Sequence, residues 1–180
     1  RALTSRTADP AGRPAAYLGC GAPLGGRFAE LAESWARTID DGYYAFNDVH
    51  AILSFIGAGR IDDAERVKAV LARRAVETDD NALMCRQVGL PAAEALLDFE
   101  HGRYAAAADT LYRVRGRAQR FGGSHAQRDI LSLTLLEAAL RAGRREQAQA
   151  IAAERMHQKP ESPWARSLAA RAAGQLKAAA

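Results

Sequence analysis

The sequence predicts an all-α protein, a right-handed array of antiparallel helical hairpins, and three observations predict it. The apolar content is mostly Ala and Leu: of 180 residues, 41 are Ala and 18 are Leu, against 12 Val and Ile together. Ala and Leu are strong helix formers, whereas the β-branched residues that suit a pleated sheet are scarce. No proline stands between Pro23 and Pro91, or between Pro91 and Pro160, which leaves two long stretches open to helix. A Gly-Arg pair recurs at Gly59-Arg60, Gly102-Arg103 and Gly143-Arg144, at intervals of 43 and 41 residues. Five residues after each Gly stands an Ala: Ala64, Ala107 and Ala148. Gly ends a helix cheaply in the left-handed conformation, a short turn sends the chain back, and the small Ala lets two helix axes approach. One such hairpin buries only part of its apolar surface, so hairpins of this kind stack on their neighbours.

The elements follow in order. Residues 1–26 form an irregular lead-in, because Pro10, Gly12, Pro14, Gly19, Gly21, Pro23, Gly25 and Gly26 break any helical period. Within it Tyr17 and Leu18 are the residues suited to pack on a core. The helical-repeat domain spans 27–180. Phe28, Leu31, Trp35 and Ile39 recur at three- and four-residue steps and predict a first helix, which Asp40-Asp41-Gly42 stops. Three hairpins follow: 43–58 with 61–75 about Gly59, 90–101 with 104–119 about Gly102, and 124–142 with 146–156 about Gly143. Asp79-Asp80 caps a short helix over 81–88, and Ser124 caps the helix after Gly122-Gly123. Ser162 with Pro163 starts a last helix, carrying Trp164, Leu168 and Ala172, that closes the array.

Several classes drop out. No run of about eighteen apolar residues exists, so no membrane span is expected, and the first ten residues lack the apolar core of a signal peptide. Cys20 and Cys85 stand alone, with neither a CxxC nor a paired framework, which points to reduced thiols and a cytoplasmic location. The chain opens on Arg1 rather than Met, as a piece of a longer protein would. With 25 Lys+Arg against 21 Asp+Glu the net charge is +4, too small to imply a nucleic-acid partner. The densest basic run is Arg113, Arg115, Arg117 and Arg120. On a helix Arg113, Arg117 and Arg120 share one face, and without interleaved aromatics that face reads as solvated rather than as a phosphate-binding stripe.

Gly102-Arg103-Tyr104 with Ala107 resembles the turn of a tetratricopeptide repeat, in which an aromatic follows the Gly by two residues and Ala by five. Lys159-Pro160-Glu161-Ser162 resembles the turn between such repeats, with Pro160 seventeen residues after Gly143. The periods exceed the usual length of about 34 residues, so the match is to a divergent form. Two longer strings carry a closer resemblance. Tyr44-Ala-Phe-Asn-Asp-Val-His-Ala51, followed by Gly57-Ala-Gly-Arg60, is similar to the tetratricopeptide repeat protein 38 family. So is Phe121-Gly-Gly-Ser-His-Ala-Gln-Arg-Asp129, followed by a long helix ending Leu140-Arg-Ala-Gly-Arg144. The likeness covers roughly residues 27–175 and implies the C-terminal part of a longer, bacterial-type member. It implies a helical repeat fold and brings no reaction with it.

Two sets of residues are the functional candidates. In hairpin repeats the first helix of each pair lines a concave face, here through Phe46, Val49, Leu53, Leu96 and Phe99. That set is apolar and lacks the Lys, Asn and Arg of a carboxylate clamp. It reads as a groove filled by the remaining helices of the same longer chain, by a protein or peptide partner, or by a second copy in a homodimer. The polar set is Asn47, Asp48 and His50 near one helix start, and Ser124, His125, Gln127, Arg128 and Asp129 at another. Three- and four-residue spacings put Asn47 beside His50 and His125 beside Asp129. The expectation is one polar locus between adjacent hairpins. There Asp129 orients His125 and Asn47 caps backbone groups, or Arg128 and the free helix-start amides hold an anion. No HxH, HExxH or Cys cluster supports a metal, and no cofactor is implied. The function expected is a non-catalytic binding or scaffolding module, with an enzyme or a small-molecule or anion-binding domain using the polar locus as the competing reading.

Overall fold

The computed structural model describes residues 26–174, and every regular element among them is helical. The lead-in through residue 25, with Tyr17, Leu18 and Cys20, lies outside the described residues. The order is α1 (Arg27–Ala36), α2 (Ala45–Gly57), α3 (Ile61–Arg74), α4 (Asp80–Met84), a π-helical turn (Cys85–Gly89), α5 (Leu90–Glu100), α6 (Tyr104–Val114), a 3-10 segment (Arg115–Phe121), α7 (His125–Arg141), α8 (Arg145–Gln158) and α9 (Pro163–Ala172). Chain neighbours pack on one another from α1 through α3 and again from α5 through α9. α5 also packs on α2 and α3, joining the two runs around one apolar core.

The three Gly-Arg turns are near copies. Gly59, Gly102 and Gly143 take φ of 73°, 78° and 72°, and the arginines after them take φ/ψ of −93/64, −81/56 and −82/67. Arg60 N–H donates to Phe55 O at 2.8 Å, Arg103 to Asp98 O at 2.8 Å and Arg144 to Ala139 O at 2.9 Å. Each Gly N–H donates three residues back, to Ile56, Phe99 and Leu140, at 3.0–3.1 Å. These bonds satisfy carbonyls that the helix end would otherwise leave bare. Nothing lies within 4 Å of where a Cβ would sit on any of the three, so the positive φ, not space, is what selects Gly. Ala64, Ala107 and Ala148 are all fully buried.

Three expectations are corrected. In α1, Leu31 is 49% exposed while Ala32 is fully buried. The contact row runs from Phe28 to Ala32 because α1 sits close on α2: a Cβ on Gly57 would lie 2.5 Å from the Phe28 ring. The segments expected as separate helices over 81–88 and 90–101 form one continuous helical run from Asp80 to Glu100. Asp79 caps it, its Oδ1 accepting from Ala82 N–H at 2.7 Å. Pro91 has no N–H for the ladder, and its ring crowds the carbonyl four residues back. The widened turn just upstream, where Leu90 N–H donates to Cys85 O, accommodates it. The third correction is the arginine face. α6 ends at Val114 and 115–121 is 3-10, so the 3.6-residue period that aligned Arg113, Arg117 and Arg120 is not sustained. Arg115 instead pairs with Glu154, with both N···O distances 2.8 Å.

Candidate functional site

The second polar string builds a helix start and the wall of a cleft. Ser124 and Gln127 form a reciprocal capping box, Ser124 N–H donating to Gln127 Oε1 at 2.8 Å and Gln127 N–H to Ser124 Oγ at 3.2 Å. Arg128 turns back on the loop and donates to Gly122 O at 3.0 Å and to Gly123 O. Asp129 does not orient His125. Its two oxygens accept a forked pair from Arg155, one bond at 2.9 Å, with Lys159 Nζ at 3.7 Å. Burial would raise the Asp129 carboxyl, but the hydrogen bonds and charges of Arg155 and Lys159 outweigh it and hold the group below the usual carboxylate range. The Arg155 side chain is only 7% exposed and lies over the Trp164 ring, 5.3 Å from its centroid. The first turns of α7, the end of α8 and the 3-10 segment enclose a cleft of about 450 Å³, whose lining includes Arg115, Gln119, His125, Arg128, Gln158 and Lys159.

The first string is dispersed. Asn47 is exposed and makes no cap at the start of α2. That role falls to Asn81 of α4, whose Oδ1 accepts from Ala45 N–H at 2.9 Å and whose Nδ2 donates to Gly42 O at 3.1 Å. Asp48 is 8% exposed, and its Oδ2 is buried with no hydrogen-bond partner among the described residues. Its carboxyl is pushed up to about 6 by burial first and by the Asp41 charge second, with Arg74 pulling the other way. The buried Cys85 thiol of the π turn lies in the same field and is pushed up to about 11, again by burial and then by Asp48. A thiol so protonated is a packing group, not a nucleophile. His50 sits half-buried against the Phe46 ring, centroids 4.2 Å apart, with Nδ1 2.8 Å from Phe46 O. A carbonyl only accepts, so Nδ1 carries the proton.

The two strings do meet, through rings and backbone. A Cβ on Gly122 would lie 1.8 Å from the Tyr44 hydroxyl, and one on Gly123 would lie 2.2 Å from the Phe46 ring. Phe46 in turn packs edge-on against Phe121 at 5.3 Å. The Gly-Gly turn is thus the seat of the α2 aromatics. The polar side chains on either side go to different partners: Asp48 to the surroundings of Asp41, Arg74 and Cys85, and Asp129 to Arg155 and Lys159. Phe46, Val49, Leu53, Leu96 and Phe99 all lie in the chain's own core, none more than 8% exposed.

Residues absent from the sequence reading of the site are Arg115, Arg155, Gln158, Lys159, Arg74 and Asn81. For Arg155 and Lys159 a signal was present: in a hairpin about Gly143 the last turns of α8 fold back beside the first turns of α7. Among the described residues no group of three or more His, Cys, Asp or Glu is placed to hold a metal ion, and no helix is long and apolar enough to cross a membrane. No family model matches the chain, and no solved structure matches it significantly.

Proposed function

We propose that the chain is a tetratricopeptide-like array of helical hairpins that works as a non-catalytic scaffold, holding a protein or peptide partner or further helices of a longer chain. The observation that carries this reading is the threefold turn: three left-handed glycines with the same hydrogen bonds, each followed by a fully buried Ala. A unit repeated with that fidelity is a means of extending a surface, since each hairpin needs its neighbour to complete its core. The five apolar residues at nominal groove positions are consumed by the core, so the partner surface lies on the outer faces of the helices.

Saturable binding is the test. A displayed peptide library is panned on the folded chain, and enriched peptides are measured for affinity and mapped by hydrogen exchange. Micromolar binders that protect exposed helix faces support the scaffold. Failure to enrich any binder, combined with turnover of an ester or phosphate substrate that His125→Ala abolishes, overturns it in favour of an enzyme.

A further inference from the structure

We infer that the cleft between the 3-10 segment, α7 and α8 is a binding site for a small organic phosphate, with the phosphate held by Arg128, Lys159 and His125 and the carbon body resting on Ala118 and Leu131. The cleft holds about 450 Å³, within the range of about 300–1,000 Å³ typical of small-molecule sites and roomier than a bare phosphate requires. Its basic side chains come from three separate elements: Arg115 from the 3-10 segment, His125 and Arg128 from α7, and Lys159 from just beyond α8.

Charge accounting makes the site anionophilic. Arg115 is matched by Glu154. Asp129, the one carboxylate on the wall, is matched by Arg155, and Lys159 stands as a further cation 3.7 Å from it. Arg128 spends its bonds on two neutral carbonyls, and no carboxylate pairs with it among the described residues. Among the side chains that line the cleft, Arg115, Arg128 and Lys159 are cations and Asp129 is the one carboxylate, an excess of positive charge at one concavity. Gln119, Ser132 and Gln158 add neutral donors around it. Helix ends are not the source of the attraction: α7 presents its start and α8 its end to the same cleft, so their dipoles oppose. Charge-assisted hydrogen bonds from side chains carry it.

This inference does not rest on the scaffold reading. Its test is calorimetric titration of the full chain with phenyl phosphate, inorganic phosphate and phenol at fixed ionic strength. The expected result is one saturable site for phenyl phosphate, weaker binding of inorganic phosphate and none of phenol. Lys159→Gln and His125→Gln each alter an exposed cleft residue. Each is expected to weaken phenyl phosphate about tenfold, with the circular dichroism spectrum unchanged and a Tm that holds for His125→Gln and falls only slightly for Lys159→Gln, which also loses its contact with Asp129. Lys68→Gln removes the same charge from α3, outside the cleft, and should leave binding intact. No saturable binding, equal binding of inorganic and phenyl phosphate, or equal loss in Lys68→Gln would each overturn the proposal.

Discussion

Asp48 near the start of α2 and Asp129 near the start of α7 each feel the charge of an arginine 26 residues downstream, Arg74 and Arg155 respectively. The two pairs occupy comparable ends of two hairpins and reach opposite electrostatic states. Asp129 and Arg155 close into a forked pair, with the guanidinium pressed on Trp164. Asp48 is buried with an unpartnered oxygen, and the Arg74 guanidinium is drawn outward to Glu77 and to Asp79, the latter at 2.7 Å. The difference lies in competition for the arginine rather than in the aspartate. The loop after α3 carries two acids within five residues of Arg74, while the bond from Arg155 is contested by no neighbour of that kind. One hairpin end is locked by its ion pair, and the other tolerates a strained carboxyl.

The largest expected effect breaks the locked end. Arg155→Ala leaves Asp129 half-buried without its fork and removes the stack on Trp164, a loss of about 3 kcal/mol by the usual cost of stripping one partner from a buried pair. Urea denaturation at pH 7 measures it. A change under about 1 kcal/mol would mean that Lys159 replaces Arg155 and that the end is not locked.

Gly123→Ala attacks the junction between the two regions. It forces a Cβ into left-handed backbone and into the Phe46 ring, and about 2–3 kcal/mol is expected. Gly102→Ala, where φ is equally positive but space is open, isolates the backbone part at about 1 kcal/mol. Equal losses in the two variants would show that Phe46 moves aside freely.

Asp48→Asn sharpens the comparison in the opposite direction. The unfolded chain releases the Asp48 proton near its ordinary 3.8, while the fold retains it to about 6. This group therefore takes stability away as pH rises from about 4 to about 6, and the deficit persists above that. Asp129 behaves inversely: its folded value is lowered, so its contribution is complete above the ordinary carboxylate range and is lost as pH falls through the folded value. Asp48→Asn should raise stability at pH 7 by about 2 kcal/mol and flatten the slope between pH 4 and 6. Replacing Glu77 by Gln and Asp79 by Ser, which keeps a cap on α4, should free Arg74 and move the Asp48 midpoint downward in a carboxyl NMR titration. An unmoved midpoint would show that Arg74 is held outward by something other than those acids.

These contrasts also mark what the sequence could reveal. The Gly-Arg turns were legible because a left-handed helix end is a local event, dictated by one residue and its hydrogen bonds. Gly174 takes the same φ of 78° but was not counted, since no Arg follows it. The face of α1 was misplaced by one residue because Phe28 and Gly57 set the docking, and that contact is not local. The π turn answers Pro91 only in three dimensions. At the candidate site the helix start was legible from Ser124 as a cap after Gly122-Gly123, while the return bond from Gln127 was not. The Asp129 pairing escaped charge patterning, which looks three or four residues ahead while Arg155 is 26 away, and only the hairpin about Gly143 pointed to it. Asp48 was expected in a polar locus between hairpins; instead it lies buried near Cys85 where the π turn packs on α2, a contact the sequence alone did not fix.

The smallest effects separate the two helix starts. Ser124 and Asn47 are both polar residues at the openings of first helices, and by type either is a suitable cap. Only Ser124 acts as one, its hydroxyl accepting from Gln127 N–H while Gln127 returns the bond. Ser124→Ala removes half of that box and should cost about 1 kcal/mol. Asn47→Ala removes an exposed side chain with no cap bond to lose, because Asn81 already serves the Ala45 amide. It should fall within about 0.5 kcal/mol of the parent. Asn81→Ala is the proper counterpart of Ser124→Ala, and it should cost more than Asn47→Ala because its two bonds bridge α4 to the loop before α2. Thermal unfolding of the three variants under one buffer orders them. If Asn47→Ala proves the costliest, α2 is capped from within its own first turn, and the contrast between a self-capped α7 and a cross-capped α2 collapses.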